Sequence, residues 1–430
     1  MLVLEAKLEG SSEQYTILDE MIRTARFIRN SCVRYWMDNR DVGKNEISAY
    51  TAILASLYEW AGKLNSMARQ ASGERAWQSI NRFYSNCKKK VPGKKGYPKF
   101  RREQTHGSVE YKTTGYKLSK DRRSITFTDK FDAGTFKMWG TRDLHFYQLN
   151  QIKRVRVVRR ADGYYCQFCV DQERLEKREP TQTTVGLDVG LNHFYTDSKG
   201  NTVENPRYLR KGEKALKRLQ KRVSRKKKGS SNRTKARKKL ALKHLKVSRQ
   251  RKDFAVKLAR CVVISNDVVA YEDLKVRNMV KNTKLAKSIS DAAWSLFRQC
   301  VEYFGKVFGV ATVAVPPHNT SQNCSHCGNK VQKSLSTRTH RCPHCGTVLD
   351  RDPSGSQSPT EGDPPAALSH HNAALNILEI ALRTVGHTGT KTSGDENDLC
   401  LGEETPSGKP TRGTRKSKAQ VLESHGFLSK

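Results

Sequence analysis

The sequence predicts a multidomain α+β protein with a β-barrel-like N-terminal domain, a helical domain inserted into it, and an α/β domain after it. Three observations predict this. A chain of 430 residues is too long for one ordinary core. Period-two runs fill residues 108–175 and begin again at 1–8, on either side of helical-period stretches between 13 and 88. After about residue 184, strand-like and helix-like runs alternate and enclose two Cys-x2-Cys pairs. The expected division is 1–12 with 108–178 as the barrel-like domain and 13–107 as the helical domain. The α/β domain takes 179–318 and 349–386, the inserted cysteine ribbon 319–348, and residues 387–430 form a disordered tail.

In chain order, residues 1–8 alternate as a strand. Leu18, Ile22, Ala25, Ile28 and Cys32 recur at helical spacing within 13–38, and a second helical stretch runs from about 46 to 88. The segment 88–102, KKKVPGKKGYPKFRR, breaks that helix and sets aromatic rings among cations. Such a composition suits phosphate contact and base stacking, through Lys94, Lys95, Tyr97, Lys99 and Arg101. The β runs that follow are VEYKTTGYKLS, SITFTDK, QIKRVRVVRR and YYCQFCVDQ. Cys166 and Cys169 lie inside the last run, where i and i+3 face opposite sides, so that pair reads as structural. VGLDVGLNHFYTDSKGN reads as two strands around a turn. Residues 259–274, ARCVVISNDVVAYEDL, read as a buried strand, 289–309 as an amphipathic helix, and 310–317 as another strand stopped by prolines.

Charge narrows the function. Lys and Arg number 80 against 42 Asp and Glu, for a net charge of +38. A chain this cationic needs a polyanion to neutralise it, and nucleic acid is the natural one. The excess is densest at 206–253, with 22 Lys or Arg against Glu213 and Asp253. Leu209, Leu216, Leu219 and Val223 keep an apolar stripe there, as do Ala236, Leu240 and Val247, and KKKGSSNR reads as a turn between them. Two basic helices in an antiparallel hairpin are expected, presenting Arg218, Arg222, Arg225, Lys226, Lys227 and Lys238 to nucleic acid. No window approaches the roughly 20 apolar residues of a membrane span. MLVLEAKLEG is too short and wrongly flanked for a signal peptide, so a cytoplasmic protein is expected.

Cys324-x2-Cys327 and Cys342-x2-Cys345 supply four thiolates for one Zn2+, and both pairs are followed by glycine, Gly328 and Gly346. Fourteen residues separate the pairs. With all four positions filled by protein the ion is structural. Carboxylates supply the second candidate site. Asp188 lies in the apolar run VGLDVGL, where a charge is costly without a compensating partner. Glu272 ends another apolar run, at the C-terminal edge where α/β sites gather. Asp350 or Asp352, after the ribbon, offers a third acid. Three acids of this kind can hold two Mg2+ ions about 3.5–4 Å apart for phosphodiester hydrolysis.

Taken together, VGLDVGLN, AYEDLKVRNMVKN, LAKSISDAAWSLF, NTSQNCSHCG with HRCPHCG, and DRD with HNAALNIL resemble the nuclease half of TnpB. TnpB is the transposon-encoded relative of type V CRISPR effectors. GYPKFRR and RTARFIRNSCVRYW resemble the front half of that family, and the likeness covers about residues 1–385. It implies a wedge and a recognition domain, followed by an RNase H-like (RuvC) domain with an inserted zinc ribbon. It implies an RNA-guided DNA endonuclease whose guide RNA comes from the transposon end and pairs with double-stranded target DNA. The catalytic, Mg2+-binding acids carry over to Asp188, Glu272 and Asp352, and the zinc ligands to Cys324, Cys327, Cys342 and Cys345. Arg277, in the second motif, joins the nucleic-acid contacts. Monomer and dimer are both open.

One departure stands out. The family pattern runs DRD directly into x-N-A-A, whereas here eighteen residues, 353–370, separate Asp352 from His371-Asn372. If the insert loops out, Asp352 stays in the site; otherwise Asp363 substitutes or cleavage is lost. Three rival readings follow: an RNA-guided binder that does not cut, a strand-transfer transposase on the same fold, or a ribosome-associated basic zinc protein.

Overall fold

The computed structural model describes residues 1–102, 107–140, 143–332, 340–349 and 370–387. The alternation at the N-terminus becomes β1 (Leu2–Glu9), with Leu4, Ala6 and Leu8 inward and Val3, Glu5 and Lys7 outward. Ser11 then starts α1 (Ser12–Asp38) with a capping box, since Ser11 Oγ accepts from Gln14 N and Gln14 Oε1 accepts from Ser11 N. The helical stretch expected from about 46 to 88 comprises α2 (Lys44–Leu57), α3 (Glu59–Gly62) and α4 (Ser66–Lys88). Asn65 restarts the chain by capping α4, its side chain accepting from Met67 N.

Strands β2 (Ser108–Lys112), β3 (Tyr116–Leu118), β4 (Ser124–Phe127), β5 (Thr135–Trp139), β6 (Ile152–Arg160) and β7 (Gly163–Val170) join β1 in a seven-stranded sheet. Its order is β2-β6-β7-β1-β5-β4-β3 and every pairing is antiparallel. Helices and sheet share one apolar cluster, in which Leu18, Met21, Ile28 and Ile80 meet Leu8, Tyr111, Phe136 and Phe168. The arginines that alternate with valine along β6 are partly consumed at home. Arg154 and Arg156 bond the buried Glu110 at 2.6 and 2.7 Å. Burial pushes that carboxyl up, and the two guanidiniums more than offset it, holding Glu110 below the usual range.

The second half builds on β8 (Thr184–Val189), β9 (His193–Asp197) and β10 (Thr202–Glu204). Then come α5 (Tyr208–Ser224), α6 (Ser231–Ile264), β11 (Val268–Glu272), α7 (Val276–Met279), α8 (Ala286–Ala292), α9 (Trp294–Phe308) and β12 (Ala311–Val315). The strands form a five-stranded sheet, β10-β9-β8-β11-β12, antiparallel on the β8–β9–β10 side and parallel through β8, β11 and β12. The short pair β13 (His340–Arg341) and β14 (Val348–Leu349) and the helix α10 (His370–His387) complete the described chain. Among the described residues no helix is long and apolar enough to cross a membrane.

Two sequence expectations change here. Residues 259–264 continue α6 instead of starting a strand, because Ala255, Ala259, Val262 and Val263 keep helical spacing and join a cluster with Phe297, Val301 and Phe304 of α9. The helix expected over 289–309 breaks at Ala293, which sits in the left-handed region (φ 56°) between α8 and α9. The basic hairpin is present: α5 and α6 pack together with a turn at 225–230, and Gly212 lies against Val247. Its start is fixed from a distance by the buried Asp291, whose carboxylate accepts from Leu209 N and Arg210 N and pairs with Arg251.

Period-two alternation divides this sheet. Val185, Leu187, Val269 and Tyr271 face α6 and α9, while Ala270 meets Ile377 and Ala381 of α10 on the other side. Gly186 lets α10 approach, for a Cβ there would stand 2.2 Å from Ala374 O and 2.9 Å from Leu378 Cβ. Gly186→Val is therefore expected to destabilise the fold by about 1–3 kcal/mol or more, read as a lower denaturation midpoint. An unchanged midpoint would show that α10 is not seated on β8.

Candidate active site and metal centre

The alternation that sends Gly186 and Ala270 toward α10 sends Asp188 and Glu272 to the same face, two residues further along each strand. The register brings them together. Tyr271 pairs with Leu187 in parallel, so Glu272 and Asp188 are the next residues on neighbouring strands. Asp188 is 7% exposed. The first residue of α10 reaches the pair, with His370 Nδ1 in contact with Asp188 Oδ2. Gly190 leaves room for that ring, which a Cβ would approach to 3.1 Å. Glu272 Oε1 accepts from Thr320 Oγ1 at 2.6 Å.

Electrostatics mark the site as unusual. Burial, and then the charge of Asp188, push the Glu272 carboxyl up to about 7. Burial disfavours the charged form of His370, but the bond to Asp188 and the nearby Glu272 charge raise it overall. A buried and a half-buried carboxyl group that resist sharing negative charge, in a protein of net charge +38, form an oxygen donor set that a hard divalent cation would relieve. Asp188 and Glu272 are the pair that fit Mg2+. Asp352, expected as the third acid, and Asp350 and Asp363 lie outside the described residues. Sequence reasoning missed His370 and Thr320, since neither stands in a pattern that signals proximity to an acid.

The four cysteines converge. Their Sγ atoms all lie within 4.8 Å of one another, and they are the one group of three or more potential ligands so gathered among the described residues. Cys324–Cys345 and Cys327–Cys342 are separated by 3.6 and 3.5 Å. Zn–S bonds of about 2.3 Å at tetrahedral angles require sulfurs roughly 3.8 Å apart, so the set fits Zn2+. Both knuckles close alike. Gly328 N donates to Cys324 O and Gly346 N to Cys342 O, and both glycines take positive φ, 74° and 70°. Thr347 holds the Cys345 thiol down to about 5, which favours the thiolate.

The expected nucleic-acid contacts lie on the outside. Lys94, Tyr97, Lys99, Arg101, Arg218, Arg222, Arg225, Lys226, Lys227, Lys238 and Arg277 are exposed, and Lys95 is half-buried. Tyr97 packs its ring 5.5 Å from Trp36 and 5.2 Å from Phe83, which ties the 88–102 loop to α1 and α4. Arg29 Nη1 donates to Lys99 O at 2.7 Å, and Asn30 exchanges two bonds with the Arg101 backbone.

A fold of this kind, a helix-bearing antiparallel sheet followed by a mixed sheet that brings two acids side by side, has a solved counterpart. It is similar to the chain in "Cryo-EM structure of the Cas12f1-sgRNA-target DNA complex", with a TM-score of 0.51 and 13% identity, over 85% of this chain and 83% of that one. Residues 167–283 match the family model described as "Probable transposase", and residues 294–358 match "Cas12f1-like, TNB domain". A "Putative RNA-guided DNA endonuclease" of Streptomyces pristinaespiralis is 29% identical over 351 residues, covering 80% of this chain and 84% of that protein. The "Putative RNA-guided DNA endonuclease InsQ" of Escherichia coli (strain K12) is 26% identical over 372 residues, covering 82% and 90%. These matches, along most of the chain, support its resemblance to the TnpB family.

Proposed function

We propose that this protein is an RNA-guided, Mg2+-dependent DNA endonuclease that cuts target DNA at a RuvC-like site built on Asp188 and Glu272, with Asp352 as the third acid. The observation that carries the reading is the placing of Asp188 and Glu272 side by side on β8 and β11. When bound, Mg2+ would activate a water and steady the leaving oxygen. The protein's own part is to hold two carboxylates against their mutual repulsion, with Thr320 on one and His370 on the other. The relatives named as putative RNA-guided DNA endonucleases support the endonuclease reading and its RNA guide.

The domain assignment is part of the proposal: a wedge of 1–12 and 108–178, a recognition domain of 13–107, a RuvC-like domain of 179–318 and 349–386, and the zinc ribbon at 319–348. The five-stranded mixed sheet supports the RuvC-like assignment. Guide RNA from the transposon end and the target duplex would lie along the exposed cations of the 88–102 loop and the α5–α6 hairpin. Each phosphate contact releases counterions. Replacing Arg218, Arg222 and Arg225 together by Ala is thus expected to flatten the slope of log affinity against log salt by about 2–3. A filter-binding salt series checks this, and an unchanged slope would move the nucleic-acid path elsewhere.

The deciding experiment uses the protein purified with its co-bound RNA and a matching double-stranded DNA. Cleavage with Mg2+, and none without it, is the expected result. Guide-directed binding without cleavage would leave a roadblock protein. Guide-independent joining of DNA ends would point to strand transfer.

A further inference from the structure

Thr320 is 4% exposed, and its hydroxyl bonds the carboxylate of Glu272. What holds Thr320 is a pair of buried carboxamides on α10. Asn376 Nδ2 donates to Thr320 O at 2.7 Å and to Asn323 O at 2.8 Å. One turn earlier, Asn372 Nδ2 donates to Asn323 O at 2.7 Å, and its Oδ1 accepts from Ser325 N at 3.0 Å. Residues i and i+4 of a helix share a face, so both amides meet the same segment. They are 0% and 6% exposed, where an unmet amide would be costly. Ser325 lies inside the first zinc knuckle, between Cys324 and Cys327. The segment 320–325 is therefore fixed at one end by the knuckle and along its length by α10, and its first residue touches Glu272.

We propose that Thr320, held by Asn372, Asn376 and the first zinc knuckle, is a positioning residue that orients the Glu272 carboxylate for a divalent metal ion. A glutamate side chain has several rotamers, and a hydroxyl clamped in a dry place selects one. Steric filling does not explain the threonine, because valine has the same shape and lacks only the donor. The ribbon thereby sets the geometry of an acid it does not itself contain. The inference rests on the reading of Asp188 and Glu272 as the metal site.

The test compares Thr320→Val and Thr320→Ser with the wild type, each as the full chain with its RNA. Mn2+ binding in excess of that of the same RNA alone is followed by loss of the free-ion EPR signal, and DNA cleavage as a function of Mg2+. Outer partners of metal ligands typically contribute 10–100-fold in affinity or activity. Thr320→Val should therefore weaken Mn2+ binding and raise half-saturating Mg2+ by about 10–100-fold, with zinc content and melting temperature unchanged. Thr320→Ser should restore both to near wild type. Equal metal dependence in Thr320→Val and wild type overturns the inference alone. So does a zinc or stability loss in Thr320→Val that accounts for the defect. A wild-type complex that binds no more Mn2+ than its RNA alone overturns the underlying reading, and the inference with it.

Discussion

Asp188→Asn is expected to lower DNA cleavage by about a thousand-fold or more while leaving guide-directed DNA binding within a few-fold. A metal site contributes several kcal/mol of charge stabilisation to hydrolysis. At 1.36 kcal/mol per factor of ten, a loss of about 4 kcal/mol gives that magnitude. Binding should persist because affinity comes from phosphates meeting surface cations, and removing one buried negative charge from a chain of net charge +38 does not oppose it. Single-turnover cleavage and filter binding on the same preparation separate the two effects. Wild-type cleavage in the variant would remove Asp188 from the site.

Cys324→Ser should have the largest effect on structure. Cys324 is 1% exposed, and its sulfur faces Cys345 at 3.6 Å. Structural zinc contributes an apparent 10–16 kcal/mol or so to folding of its module, so losing one of four ligands is expected to empty the ribbon. Metal analysis should fall from about one zinc per chain toward zero. Hydrogen exchange should rise at 322–331, where Cys324 N, Gly328 N and Val331 N are bonded within the knuckle. Full zinc occupancy with unchanged exchange would show that the four thiols do not act as one centre. Apolar clusters far from the ribbon, such as that of Leu8, Tyr111 and Phe168, should stay folded.

Much of this was legible in the sequence because the signals were local. The alternation at 1–8, the helical spacing from Leu18 to Cys32, and the two Cys-x2-Cys knuckles each depend on residues close in the chain. Asp188 and Glu272 could be singled out because charge within an apolar strand is costly. Residues 259–264 were misread because ARCVVI is apolar enough for helix or strand; packing of Val262 and Val263 with α9 decides it, and that partner lies some forty residues on. The break at Ala293 had no glycine or proline to announce it. Strands β5 and β10 were missed as short pieces that acquire meaning only through their neighbours. His370, Thr320, Asn372 and Asn376 do their work across large sequence separations, where periodicity carries no information.

The position of β1 has a consequence for how the molecule is made. This first strand lies inside the seven-stranded sheet, yet its partners are Lys137–Trp139 on one side and Tyr164–Val170 on the other. A ribosome finishes β1 long before either partner leaves the exit tunnel. Helices α1 to α4 emerge next, and part of their apolar surface is covered only once the sheet joins the shared cluster. Loop closure over such distances is slow, and unpaired strand edges are prone to aggregate. The nascent N-terminal half therefore stays vulnerable until Val170 has left the exit tunnel, and slow elongation before that point should favour misassembly.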